Sequence, residues 1–315
     1  MPQIPASTVG ARFTGWGRAL PSKVLTNHDL EAMVETSDQW IRERTGIERR
    51  HVGGTTSGLS IESGRRAIEM AGIDPLEIDA LVLATTTPDR TVPATSATVQ
   101  HALGLKCGAF DVNAACSGFV YATVVAHGLI AMGSKKVLLI GTDTLARITD
   151  WSDRNTAILF ADGSGAAVLE ATEGPGQLLG WDIDADGSAE DLLYCNVGGT
   201  IHMDGKEVFR RAVRIMVDSG QKSMAVAGVG PDDIALVVPH QANIRIISAA
   251  CERLGVPLER AAVTIHETGN TSSASIPMAL FDAADNGRLN KGDLVLLVGF
   301  GAGMTAASAI IRWGV

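Results

Sequence analysis

Only 4% of the 315 residues are aromatic and only 19% are charged. So few rings argue against an aromatic-lined binding module, and so little charge argues against a disordered chain. Basic residues are in deficit: 26 Lys and Arg face 35 Asp and Glu, a net charge of −9. That balance argues against nucleic acid or an anionic membrane surface as the main partner. There are four cysteines, Cys107, Cys116, Cys195 and Cys251. None forms a C-x-x-C pair and no Cys/His cluster has ligand spacing, so neither a disulfide framework nor a zinc site is expected. The start of the chain, MPQIPASTVGARF, lacks a basic stretch followed by an apolar one. A cytoplasmic protein with reduced thiols is the expectation. The uncharged run 112–134 is long enough to imitate a membrane span. It holds Asn113, Ser117, Gly118 and His127, which favours a buried central helix, because lipid tolerates such groups poorly.

What is present is a 46% hydrophobic chain with 35 glycines, enough for one large domain or two of about 150 residues. The chain also repeats itself. Ser63-Gly64, Ala71-Gly72, Pro75 and Ile78 return as Ser219-Gly220, Ala227-Gly228, Pro231 and Ile234, at a constant offset of 156 (219 − 63). Each copy reads as a helix, a Gly-x-x-Pro turn and an apolar strand, Ala80–Ala84 or Ala235–Val238. Asn113–Phe119 answers Asn270–Ile276 at an offset of 157, and Lys136–Gly141 answers Leu294–Gly299 at 158. Continuous Val/Ile/Leu strands alternating with helices predict buried, parallel-type strands in an α/β fold. The duplication predicts two pseudo-twofold-related halves, 1–175 and 176–315, whose facing loops form one site.

Four segments have the makings of that site. Cys116 lies between an apparent strand end, Ala109–Val112, and a long apolar helix, Ser117–Met132. Small flanking residues allow a tight strand-to-helix turn, as in a nucleophile elbow. A helix N-terminus favours thiolate and offers N–H groups to an oxyanion. The competing reading is a buried thiol acting as a small hydrophobe, which is preferred for the other three cysteines. His240 sits in Pro239–Asn243, between the strand Ile234–Val238 and the helix Ile244–Leu254. The C-terminal end of a buried strand is where α/β proteins place their sites. A His preceding a helix N-terminus is biased towards neutral imidazole; otherwise it is a surface His in a capping loop. Gly269–Pro277 opens a helix with Asn270 and a run of Ser and Thr, either an ordinary N-cap or the counterpart of the Cys116 loop. Gly299–Gly303 ends a strand with a backbone lean enough to approach a ligand.

In this order and spacing, D-V-N-A-A-C-S-G-F, P-H-Q-A-N, G-N-T-S-S-A-S-I-P and G-F-G-A-G resemble the β-ketoacyl-acyl carrier protein synthase III family. T-S-D-Q-W-I-R-E-R-T-G-I and D-R-N-T-A-I-L-F-A-D-G-S-G-A-A-V-L extend the likeness over essentially the whole chain. The resemblance implies a thiolase-like fold, with mixed sheets sandwiching buried helices. It implies an acyltransferase that condenses an acyl-CoA primer with malonyl-acyl carrier protein, as a homodimer and without metal or redox cofactor. Cys116 would carry the acyl group, and His240 and Asn270 would bind the malonyl thioester carbonyl. The backbone N–H groups of Cys116 and Ala302 would form the oxyanion hole.

Around that centre the resemblance assigns Trp40, Arg44, Thr45, Arg154, Gly205 and Asn243 to CoA and its pantetheine arm. It assigns Val92, Leu159, Phe160, Met203, Phe209 and Phe300 to the acyl pocket. Arg210, Arg211, Arg214, Arg245 and Arg253 would make a basic patch for an acidic carrier protein, with Glu252 weakening it. Val92 replaces a bulky Phe of the best-known relatives, so the primer need not be acetyl-CoA. Ala306-Ala307 stands for the common Trp-Gly, and Ser273 for a frequent Ala. The same chemistry in a secondary-metabolite pathway is the alternative. A Cys/His thioester hydrolase and a non-catalytic scaffold rank lower.

Overall fold

The computed structural model describes residues 9–314. Its strands are β1 Val9–Ala19, β2 Val24–Thr26, β3 Arg49–His51, β4 Ala80–Ala84, β5 Gly108–Val112, β6 Lys136–Thr144 and β7 Asp162–Glu173. Then come β8 Leu178–Ala185, β9 Leu193–Cys195, β10 Ile201–Met203, β11 Ile234–Pro239, β12 Leu294–Gly301 and β13 Thr305–Arg312. The helices are α1 Asn27–Glu31, α2 Asp38–Thr45, α3 Thr56–Ala71, α4 Thr95–Ala102 and α5 Gly118–Ala131. They continue with α6 Arg154–Ala157, α7 Gly205–Ala227, α8 Ile244–Leu254, α9 Ile265–Thr268 and α10 Ser275–Asp285.

Two mixed sheets organise these elements. One has the order β1-β7-β6-β4-β5, the other β8-β13-β12-β11 read in the same sense. In each sheet the central strand pairs in parallel with the strand that follows a Gly-x-x-Pro turn: β4 with β6, β11 with β12. It then pairs antiparallel with the next strand, β6 with β7 and β12 with β13. Burial along nearly all of β4, β6, β11 and β12, with Ala235 of β11 the exposed exception, explains their apolar sequence. The halves are not identical, because β5 gives the first sheet a fifth strand. In the second half the corresponding stretch makes one bridge only, Val237 to Ala261.

Helix α5 touches strands of both sheets, as does α10. These two helices form the middle layer, with α3 outside the first sheet and α7 outside the second. A helix covered on both sides must be apolar all round, and α5, GFVYATVVAHGLIA, is. The uncharged run is therefore a buried helix, and among the described residues no helix is long and apolar enough to cross a membrane.

The outer helices lie unusually close to their sheets, at equivalent places. A Cβ on Gly15 of β1 would sit 2.3 Å from the Ala67 carbonyl oxygen of α3. A Cβ on Gly180 of β8 would sit 2.3 Å from the Ser223 carbonyl oxygen of α7, and 223 − 67 is again 156. Both glycines are there for close approach of backbone to backbone. Gly180→Ala should therefore lower the unfolding free energy by about 1–3 kcal/mol through overpacking, read as a shift of the urea midpoint. An unchanged midpoint would contradict the close approach.

Candidate active site

Cys116 sits two residues before α5, in a one-turn 3-10 helix, Ala115–Ser117. Its counterpart before α10 is a second such turn, Ser272–Ala274. Ala115 (φ 48°) and Ser272 (φ 51°) are the two non-glycine residues with left-handed backbone among those described. They are 157 residues apart (272 − 115), the offset of the repeat. Left-handed backbone is uncommon outside glycine and persists where surroundings over-determine it. Here the two turns press on each other: a Cβ on Gly118 would lie 3.4 Å from the Ser273 Cβ.

The end of β12 separates Cys116 from His240. A Cβ on Gly299 would lie 3.5 Å from both the His240 Cβ and the Ser117 Cα, and one on Gly301 would lie 2.6 Å from the Cys116 nitrogen. At Gly301 only glycine allows so close an approach to the Cys116 backbone, while a Cβ on Gly299 would make ordinary contact with the His240 and Ser117 segments. The Cys116 turn has its own staple. Ser117 Oγ lies 2.7 Å from the Ala114 carbonyl and 2.8 Å from Thr305 Oγ1, which donates to the same carbonyl at 2.9 Å.

His240 is wholly buried at the end of β11. Its Nδ1 lies 2.7 Å from Ser275 Oγ, which also accepts the Gln241 N–H at 3.3 Å. The Ser275 proton has one acceptor among the described residues, His240 Nδ1. That assignment leaves the ring proton on Nε2, a buried atom with no partner. Gln241 fixes the loop: its Nε2 donates to the Pro239 and Ala262 carbonyls, and its Oε1 accepts from Thr264 and Ile265 N–H. Asn270 is held as firmly. Its N–H donates to the Leu159 carbonyl, its carbonyl accepts from Ala161 N–H, and its Oδ1 accepts from Ser272 N–H at 3.0 Å. Oδ1 being occupied, Nδ2 is the free donor.

Burial decides the charge states. It pushes the Cys116 thiol up to about 12, a rise tempered by the Ser272 hydroxyl and reinforced by the charge of Asp143. It pushes the His240 imidazole down to about 3. Against the expectation of thiolate at a helix N-terminus, desolvation moves the thiol upward and the imidazole downward, both towards their neutral forms. The neutral imidazole agrees with the sequence, although burial is its main cause.

The remaining predicted residues fall into groups. Trp40 and Arg44 of α2 meet Arg154 of α6, with the two guanidinium carbons 5.6 and 4.8 Å from the indole centroid. Asn243 caps α8 and donates from Nδ2 to the Arg44 carbonyl at 2.9 Å. Thr45 is buried in its own helix, its hydroxyl bonded to the Ile41 carbonyl and Ile47 N–H. Gly205 starts α7. Phe160 clusters with Leu159, Leu145 and Ile201 and bridges to Asn270. Phe300 meets the His240 ring edge-on at 5.5 Å, and Ala302 follows Gly301 in the turn after β12. Phe209 lies under the Arg245 guanidinium, in the second-half core to which Met203 also packs, rather than with Phe160. Val92 is 79% exposed and is not brought to the site by this chain.

The arginine patch is less basic than its sequence suggested. Arg210 pairs with Glu207 at 2.6 Å, Arg211 with Asp186 at 3.5 Å and Arg214 with Asp218 at 3.7 Å. The hollow of about 490 Å³ that these arginines line also contains Asp182 and Asp184. Arg245 and Arg253 on α8 are exposed and belong to none of the ion pairs among the described residues.

Three structural partners were missed in the sequence. Ser275 orients His240. Asp143 is a wholly buried carboxylate at the end of β6, signalled only by an acid closing the apolar run of that strand. Arg50 is a wholly buried cation whose guanidinium is pushed down to about 10 by burial. It donates to the Ile158 carbonyl and to Asn27 Oδ1, bracing the segment that holds Asn270.

This duplicated architecture is that of the thiolase-fold condensing enzymes, which are acyltransferases. Residues 110–187 match the family described as 3-oxoacyl-[acyl-carrier-protein] synthase III, and residues 224–313 match its C-terminal part. The β-ketoacyl-[acyl-carrier-protein] synthase III of Roseiflexus sp. strain RS-1 is 50% identical over 96% of this chain and 98% of its own. The crystal structure of 3-oxoacyl-[acyl-carrier-protein] synthase III from Aquifex aeolicus VF5 superposes with a TM-score of 0.95 at 42% identity, over 96% of this chain and all of that one. The priming β-ketosynthase of the R1128 polyketide pathway superposes with a TM-score of 0.92 at 34% identity, over 99% and 98% of the two chains. The chain belongs to the β-ketoacyl-acyl carrier protein synthase III family.

A neutral thiol has a signature. Alkylation of Cys116 by iodoacetamide, followed on its own peptide by mass spectrometry, should rise about tenfold per pH unit from pH 6 to pH 10, since thiolate is the nucleophile. A plateau below pH 8 would contradict the resting state described.

Proposed function

We propose that Cys116 carries the acyl group of an acyl-CoA primer and delivers it to a malonyl thioester on acyl carrier protein. What supports this reading is that the end of β12 packs against both the Cys116 turn and His240, while His240 Nε2 is left without a partner and the Asn270 Oδ1 is occupied by the Ser272 N–H, leaving its Nδ2 to donate. Attack of sulfur on the primer forms acyl-Cys116, and the thiol proton leaves with the departing CoA thiolate. The Cys116 and Ala302 N–H groups stabilise the oxyanion. The malonyl thioester then places its carbonyl against His240 and Asn270. Loss of CO2 leaves an enolate that these donors stabilise without opposing its charge. Its carbon attacks acyl-Cys116, and the released thiolate takes a proton from solvent. A thiol with a high resting pKa favours that last step. Decarboxylation supplies the carbanion, so the reaction asks for no metal or redox cofactor.

Trp40, Arg44 and Arg154 suit the adenine and phosphates of CoA, since a guanidinium can stack on an aromatic face and bind phosphate. Gly205 and Asn243 border the pantetheine arm, with Thr45 supporting α2 behind them. Leu159, Phe160, Met203 and Phe300 suit the acyl pocket, with Phe209 at its CoA side. Arg245 and Arg253 offer the better carrier-protein contact, because Arg210, Arg211 and Arg214 already face acids. The chain is read as halves 1–175 and 176–315; β7 ends at Glu173 and β8 begins at Leu178. Strand β5 is a sheet edge with Phe110 38% exposed, and Val92 stands out nearby in sequence. An unpaired edge favours joining a second copy, so a homodimer with Val92 at the partner's acyl pocket is the proposed assembly, in the cytoplasm where the thiols stay reduced. The likeness to a polyketide priming enzyme supports starter-unit loading as the second reading.

Incubation with malonyl-acyl carrier protein and a panel of acyl-CoA primers should give an acyl adduct on Cys116, CO2 and β-ketoacyl product. Free acid as the sole product would favour hydrolysis, and a primer profile restricted to unusual acyl groups would favour the second reading. Asn270→Ala should retain Cys116 acylation while decarboxylation falls about 100-fold or more, the scale of losing one such donor. Arg245→Glu should raise KM for malonyl-acyl carrier protein but not for malonyl-CoA. Equal effects on both would move the docking surface elsewhere.

A further inference from the structure

Asp143 has a use that the condensation steps do not assign. Its carboxylate is fully buried and takes part in none of the ion pairs among the described residues. Its charge is met by dipoles instead. Oδ1 accepts from the N–H of Thr86 at 2.7 Å and of Thr87 at 3.1 Å. The hydroxyls of Thr85, Thr86 and Thr87 lie 3.0, 3.0 and 2.8 Å from the same oxygen. Oδ2 accepts from the N–H of Ser273 at 3.0 Å and lies 2.7 Å from its hydroxyl. One oxygen is thus bound to the turn after β4, in the first half. The other is bound to the strained turn before α10, in the second half.

That second arm leads directly to Asn270. Ser273 follows Ser272, whose backbone is left-handed and whose N–H holds Asn270 Oδ1 at 3.0 Å. Fixing Ser273 fixes Ser272, and so the direction in which the Asn270 carboxamide points. The Cys116 turn has a separate hold in Thr305. We propose that Asp143 is a positioning residue, binding the two halves across their seam so that Asn270 Nδ2 faces the substrate carbonyl. It governs decarboxylation and leaves acylation of Cys116 largely alone. The Ser273 hydroxyl adds a second contact to the same carboxylate oxygen that its N–H binds.

This inference rests on the roles proposed for Cys116 and Asn270, and the test separates the two. Full-length wild type, Asp143→Asn, Ser273→Ala and the double variant are each given acyl-CoA alone, with acyl-Cys116 followed by intact mass. They are then given malonyl-CoA alone, with CO2 release followed. Asp143→Asn should lower kcat for decarboxylation by about 100-fold, with KM and the acylation rate within about threefold of wild type. Ser273→Ala should lower decarboxylation by about three- to tenfold, and the double variant should be no worse than Asp143→Asn, because the two residues share one contact. A parallel fall of both half-reactions, or unchanged decarboxylation in folded Asp143→Asn, would overturn the proposal. If Asp143→Asn does not fold, Ser273→Ala decides: a selective loss supports the proposal and no loss overturns it. Normal decarboxylation by Asn270→Ala would instead overturn the parent reading.

Discussion

Everything at this site depends on one constraint: two buried helices of a duplicated unit must begin at the same place, inside the protein. A helix start leaves backbone N–H groups without intrahelical partners, and burying two starts together multiplies that demand. The chain meets it with paired short turns, Ala115–Ser117 and Ser272–Ala274, each strained at one residue. Thr305, Ser275, Gln241 and Asp143 hold those turns and the His240 loop from outside. Ser275 occupies His240 Nδ1, both ends of the Gln241 amide are bonded, and the Asn270 Oδ1 is taken by the Ser272 N–H. Left without a partner at this seam are the Nε2 of His240 and the Nδ2 of Asn270, the two donors that the proposed reaction uses.

Burial also sets the electrostatics. Burial raises the cost of net charge, pushing the Cys116 thiol up and the His240 imidazole down, each towards its neutral form. The ions that are buried nearby, Asp143 and Arg50, are each surrounded by dipoles and hydrogen bonds rather than by a counter-ion. Dipoles fixed by the fold can compensate a buried charge and cost no reorganisation when charge develops in the reaction. The charges that face solvent lie farther out, where Arg44 and Arg154 flank Trp40 and where Arg245 and Arg253 stand on α8.

Much of this was legible because the chain states its architecture twice. The bounds of β4 and α8 follow directly from apolar runs and caps, and the repeat offset returns in the paired left-handed residues Ala115 and Ser272. Cys116, His240 and Asn270 stood out because each closes a strand or opens a helix at the seam. Other features were illegible for physical reasons. The thiol's charge state depends on depth of burial, which local sequence does not encode. Of the α7 arginines, Arg210 and Arg214 meet acids at readable i,i+3 and i,i+4 spacing on the same helix, while the Arg211 partner, Asp186, comes from another segment. Asp143 draws its donors from Thr85–Thr87 and Ser273, and Ser275 meets His240 from another segment. Partners so distant along the chain leave no spacing to read.

The central claim is that His240 is a neutral donor whose proton sits on Nε2 because the Ser275 hydroxyl occupies Nδ1. The direct test is the nitrogen chemical shifts of 15N-labelled His240 in the resting enzyme, read from about pH 5 to pH 8. With the imidazole pushed down to about 3, one neutral tautomer with Nε2 protonated and Nδ1 acting as acceptor should persist across the whole range. An imidazolium titrating within it, or a proton on Nδ1, would contradict the account.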